Sequence, residues 1–253
     1  MTDAQLASTH FQTLGAAYAS ADPVVAEDAF RRALQLEPGV PAVHAALAEV
    51  LTRLNRYAEA ASHLRRALTL DPHQEQALAL QVELLVAEGL VPEAIGRFVT
   101  ATANGASARI ITSFGDLLAR LGLREEAASR YREALRCGGT PEAHANLALL
   151  AVDQGLLDVA LAGFDRALTL DPTSSEVRIN RANVLVELGR LDEAATEFTA
   201  LTDDPDVAGP AWWGLAAIGD ARGDCEVAAA TRRRAVQTEP ELARRCAPAP
   251  VGV

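Results

Sequence analysis

Apolar and small positions recur along this chain with a period of 34 residues, shortened in places to 33, and the period runs seven times. The hexapeptide Ala67-Leu-Thr-Leu-Asp-Pro72 returns letter for letter as Ala167-Leu-Thr-Leu-Asp-Pro172, 100 residues on, which is one period of 34 and two of 33. A fixed period in this range means stacked supersecondary units, each of which buries its faces only against its neighbours. Each period reads as two helices. The first carries a large apolar residue and a small one, and a glycine follows it. The second sets two alanines beside a large apolar residue, and Asp-Pro or Glu-Pro often closes it.

The slots are filled as follows. Repeat 1 (8–40) has Phe11, Leu14, Gly15, Tyr18, Ala26, Phe30, Ala33 and Pro38. Repeat 2 (41–74) has Leu47, Ala48, Ala60, Leu64, Ala67 and Pro72. Repeats 3 (75–107) and 4 (108–140) keep Gly89, Ala94, Phe98 and Ala101, and Gly115, Gly122, Ala127, Tyr131 and Ala134, but lack the closing proline. Repeat 5 (141–174) has Leu147, Ala148, Gly155, Ala160, Phe164, Ala167 and Pro172. Repeat 6 (175–208) has Ala182, Gly189, Ala194 and Phe198, and repeat 7 (209–242) has Trp212, Leu215, Ala216, Gly223, Ala228, Ala235 and Pro240. Over residues 8–242 this set resembles the tetratricopeptide repeat family, bacterial type. The resemblance implies an all-α fold, a right-handed solenoid of seven helix-turn-helix repeats forming a single domain over residues 1–242.

Local chemistry agrees. Small residues let helices cross closely, the glycine takes the left-handed conformation that ends helix A, and proline stops helix B by disfavouring helix at the residue before it. Thr2-x-x-Gln5 reads as a capping box, and Asp22-Pro23 as an N-cap with proline at N1. In repeat 7, Arg232 takes the large apolar slot and Arg233 and Arg234 follow, as expected of a capping helix; the other reading is docking on another subunit or partner. Residues 243–253 hold two prolines and read as a mobile tail.

Composition narrows the function. With 49% apolar but 4% aromatic residues, the core must be built from Ala, Leu and Val, which suits closely packed helices. All 23 basic residues are arginine, which fits GC-rich coding and excludes Schiff-base, Walker or general-base lysines. A net charge of −11, spread over both halves, repels phosphate backbones, so no nucleic-acid partner is expected. Cys137, Cys225 and Cys246 have neither metal nor disulfide spacing, which points to a reducing compartment. With no signal segment and no long apolar run, a cytoplasmic protein without membrane insertion is expected. His10, His44, His63, His73 and His144 lack metal-ligand spacing, and no phosphate loop or nucleophile elbow stands out. No catalytic, metal or cofactor site is expected. His44 and His144 share the packing slot that Trp212 fills in repeat 7.

The family resemblance implies that helix A of each repeat faces a concave groove through its second, fifth, sixth, ninth, twelfth and thirteenth positions. Carried over slot by slot, the ninth position gives a carboxylate ladder of Glu49, Glu83 and Asp116, suited to basic ligand side chains. Asn146, Asn180 and Asn183 sit where asparagines grip a peptide main chain, because an amide both donates and accepts. Arg53 and Arg120 hold the thirteenth position, and the fifth gives Ile179 and Trp213, the latter a candidate anchor. Arg109 and Asn146 do not rebuild the clamp that co-chaperones of this family place on a C-terminal carboxylate. The expected function is therefore a protein–protein interaction module, an adaptor or chaperone-like scaffold holding an extended or helical segment of another protein. The alternatives are a scaffold that self-associates through repeat 7, and an accessory subunit of a modifying enzyme such as a glycosyl- or sulfotransferase.

Overall fold

The computed structural model describes residues 2–241, and among them all regular structure is helical. Fourteen helices run in chain order: α1 (Asp3–Tyr18), α2 (Pro23–Leu36), α3 (Pro41–Arg53), α4 (Tyr57–Leu70), α5 (Glu75–Ala87), α6 (Val91–Ala103), α7 (Ala108–Arg120), α8 (Arg124–Arg136), α9 (Pro141–Asp153), α10 (Leu157–Leu170), α11 (Ser175–Glu187), α12 (Leu191–Leu201), α13 (Ala208–Ala221) and α14 (Cys225–Thr238). Each expected repeat contains one helical hairpin, and the fold is an all-α stack of such hairpins. The chain divides into two compact units, residues 1–117 and 118–253, with the boundary inside α7. The expected tail, residues 243–253, lies outside the described residues. No described helix is long and apolar enough to cross a membrane.

The turns obey backbone sterics. Gly89, Gly122, Gly155, Gly189 and Gly223 close helix A at φ 71–78°, and Asn55 (φ 59°) does so in repeat 2. Asparagine is the residue that best tolerates this region after glycine. At each of these ends the amide two residues past the cap reaches back, as in Arg56 N–H to Leu51 O at 2.8 Å and Leu156 N–H to Ala151 O at 2.9 Å, satisfying orphan carbonyls. In six of the seven repeats helix B stops by one of two routes; in repeat 6 it ends at Leu201 with Thr202 still in the right-handed helical region. Before Pro38, Pro72, Pro172 and Pro240 the capping residue is driven extended, at φ −132 to −140°. Repeats 3 and 4, which lack that proline, end on Gly105 (φ 81°) and Gly138 (φ 112°) instead. Both predicted N-terminal caps form: the Thr2–Gln5 box is reciprocal, and the Asp22 side chain accepts from the N–H groups of Val24 and Val25.

Within each unit the core follows the small-plus-large rule. In the first unit, Ala26, Phe30, Ala33, Leu47, Ala48, Ala60, Leu64 and Ala67 form one buried cluster. In the second, Ala148, Ala160, Phe164, Ala167, Ala182, Leu185, Ala194 and Phe198 do the same. Ile179, expected in the groove, instead belongs to this core at 8% exposure. A fifth-position residue on helix A therefore points to the neighbouring helices. Charged staples tie successive B helices together at the rim. Glu27 accepts from Arg31 at 2.8 Å and from Arg56 at 2.6 Å, and Arg31 also reaches Glu59 at 3.0 Å. Burial pushes the Glu27 carboxyl up, but the two arginines outweigh it and hold it below the usual carboxylate range. In the second unit Arg181 pairs with Asp165 and with Glu197, both at 2.6 Å.

His44 is buried, and its Nε2 lies 3.1 Å from the Pro38 carbonyl, which only accepts, so that nitrogen carries the proton. Its Nδ1 then accepts from His63 Nδ1–H at 2.9 Å. Burial, the His44 ring and Arg31 push His63 below its ordinary value, with Glu59 acting the other way. Burial, then Arg166, pushes His144 down likewise. A His depressed in the fold binds fewer protons folded than unfolded, so its stability contribution is full above the unfolded value of about 6.5 and falls as pH drops through and below it. The melting temperature should decline between pH 7.5 and 5.5, and less steeply in His63→Phe; equal slopes would contradict the assignment. Ala67→Leu or Ala167→Leu, at positions 0% and 1% exposed, should cost about 1–3 kcal/mol in chemical denaturation through overpacking.

Candidate protein-binding grooves

Each unit carries a cleft floored by helix-A faces. In the first, a cleft of about 740 Å³ opens over α3, α5 and α7. Glu49 and Glu83 line it, as the ninth-position ladder requires, with Leu80 and Ser113 from the sixth position. The third rung, Asp116, is half-buried and is not among the lining residues. The ladder is also less available than its spacing suggests. Glu49 accepts from Arg53 at 3.0 Å and from Gln76 Nε2 at 2.8 Å. Arg53, in turn, donates to the Ala19 carbonyl at 2.8 Å, so it ties helices together at the cleft edge. Glu83 stays exposed with no side-chain partner among the described residues. Glu75 and Arg109, 3.6 Å apart, close one side, while Leu78, Phe98 and Ile110 supply an apolar floor. Gln76 and Arg109 line the cleft from the second groove position of their repeats. With Glu49, Asp71, Glu75 and Glu83 against Arg109, the lining is net acidic.

The second unit holds a smaller cleft of about 360 Å³ over α9, α11 and α13. Its walls are the sixth, ninth and thirteenth positions of repeats 5 to 7: Leu149, Asn180, Asn183, Glu187, Gly214 and Ala217. Asn180 is half-buried and Asn183 exposed, and neither amide has a hydrogen-bond partner within the described residues. Asn146 is half-buried on α9 and is not among the lining residues. Trp213, expected to project into the groove, is half-buried on α13 outside this lining. Arg120, at the end of α7, is exposed without a side-chain partner. Gly214 lets α13 approach α12 closely: a Cβ there would stand 2.3 Å from the Phe198 ring, which is itself fully buried.

At the chain's described end, Arg232 pairs with Asp220 and the Arg234 guanidinium lies 5.1 Å above the Trp212 ring. The arginines thus set charge against α13, one of them over an aromatic face.

Comparison with known proteins agrees with this architecture. Family profiles described as tetratricopeptide repeat match residues 17–84, 112–175 and 151–218. Against curated proteins the sequence finds no match. Among solved structures, a tetratricopeptide repeat protein from Parabacteroides merdae superposes with a TM-score of 0.60 at 17% identity, covering 95% of this chain and 97% of its own. A thermophilic protein of the same repeat class from Thermus thermophilus gives 0.57 at 26% identity, over 71% of this chain and all of its own. The pilF protein of Pseudomonas aeruginosa gives 0.57 at 19% identity, over 94% and 95% of the two chains.

Gly214→Ala should lower the unfolding free energy by about 1–3 kcal/mol, because the added methyl must displace a buried ring. Unchanged denaturant midpoints would mean that the α12–α13 contact is looser than described.

Proposed function

The chain belongs to the tetratricopeptide repeat family, and from that premise we propose that it is a non-catalytic adaptor that holds an extended segment of a partner protein against its helix-A faces. One observation carries the reading: the amides of Asn180 and Asn183 line a cleft with no hydrogen-bond partner among the described residues. An amide that faces a cleft unpaired keeps a donor and an acceptor for a guest main chain, whatever the guest's side chains. Leu149, Val152 and Val186 beside them offer apolar contact for alternate side chains. The acidic cleft of the first unit, with Glu83 unpaired, suits a guest bearing arginine or lysine. Trp213 serves as an edge anchor, and Asn146, Asp116 and Arg120 contribute from outside the cleft linings. The charge-covered α14 supports repeat 7 as an end cap. We place the protein in a reducing, cytoplasmic setting, in keeping with the exposed free thiols of Cys137 and Cys225.

The test is affinity capture from native lysate, then calorimetry of the captured partner with variants. Asn180→Ala should weaken binding roughly threefold to tenfold, the scale of one lost hydrogen bond, with an unchanged melting temperature. Trp213→Ala should weaken it by at least as much. Unaltered affinity for both variants would sink the groove assignment, and loss of folding would show that the side chains are structural.

A further inference from the structure

Repeats 2 and 5 are one structure written twice. Helices α3 and α9 begin and end 100 residues apart, as do α4 and α10, so their positions compare one for one. His44 corresponds to His144, Ala48 to Ala148, and His63 to Gly163. In repeat 2 the His63 ring lies 5.2 Å from the His44 ring and hydrogen-bonds to it. In repeat 5 that ring is missing, and the place beside His144 is a cleft of about 410 Å³ lined by Leu135, Leu147, Val159, Ala162 and Gly163, with Arg166 at the rim.

Three further differences follow from the vacancy. His44 is 8% exposed, whereas His144 is only half-buried and its ring has no hydrogen-bond partner among the described residues. Where repeat 2 carries Glu59, held by Arg31 and Arg56, repeat 5 carries Val159 at 61% exposure. The slot also cannot be refilled from residue 163: a Cβ there would stand 2.8 Å from the Ala148 Cβ, inside normal contact distance. Closure of α10 onto α9 has used the room that a side chain would need. A ring that completes this site must therefore come from outside the repeat.

We propose that the slot beside His144 is a docking pocket for a neutral imidazole, the side chain of a histidine on a partner polypeptide, seated where repeat 2 places its own His63. The guest ring lies against Leu147 and Val159 and exchanges a hydrogen bond with a His144 ring nitrogen. A neutral ring is selected because Arg166 and Asp158, both lining the pocket, leave no net charge for a cation. This site is on the α8–α10 side and is separate from the helix-A clefts.

The probe is N-acetyl-histidine methylamide, titrated at pH 7.5 into the full chain labelled with nitrogen-15 at its histidines. A saturable shift of the His144 ring nitrogens is expected, with the exposed His10 and His73 unmoved and the alanine analogue silent. His144→Phe, which keeps a ring but removes the acceptor, should abolish saturation, and Val159→Glu should weaken it severalfold. As a positive control, His63→Gly opens the matching slot in repeat 2, and the probe should then shift His44 and raise that variant's melting temperature. Rescue of His63→Gly with a silent His144 would overturn the proposal, as would silence of both slots. Equal binding of the phenylalanine analogue would overturn the imidazole assignment.

Discussion

Close approach between helices is the constraint from which the rest of this structure follows. Aromatic residues are scarce, so the core has few large side chains, and Phe30 and Phe198 fit because a glycine lies opposite each. Phe30 sits over Gly15, Phe198 over Gly214, and α9 meets α10 through Ala148 and Gly163. Burying one such phenylalanine is worth about 1.5–3 kcal/mol, and a methyl placed in its path reverses the gain by steric overlap. In the α9–α10 hairpin, the left-handed Gly155 after helix A turns the chain so that Ala148 and Gly163 meet.

The same economy shapes the surfaces. Two of the glycines that let helices meet closely also line concavities. Gly214 forms part of the cleft over α9, α11 and α13, and Gly163 forms part of the slot beside His144. The polar groups around these concavities divide by whether they are already engaged. Glu49 and Arg53 are occupied by each other and by the fold, whereas Glu83, Asn180 and Asn183 are not. Availability, rather than sequence position, separates candidate contacts from structural ones.

Most of the architecture was legible in the sequence because its signals are local. Seven hairpins, the proline stops and the glycine turns depend on residues a few positions apart. The groove register was legible too: Glu49, Glu83, Asn180 and Asn183 line clefts from the slots expected of them. What could not be read depends on which neighbour a side chain meets. Ile179 turns into the core because the fifth position points along the stack, and Asp116 leaves the ladder although its spacing is right. His63 was invisible as the partner of His44, since the pair forms only when α3 and α4 pack. Gln76 and Arg109 line the first cleft from the second position, which the slot rule also assigns to the groove.

The central claim is that a partner segment lies on helix-A faces. It is tested most directly by placing a photo-crosslinking amino acid at position 183, on α11, or at position 196, on the exposed side of α12. The account predicts partner crosslinks from position 183 and none from 196; crosslinks confined to 196 would contradict it.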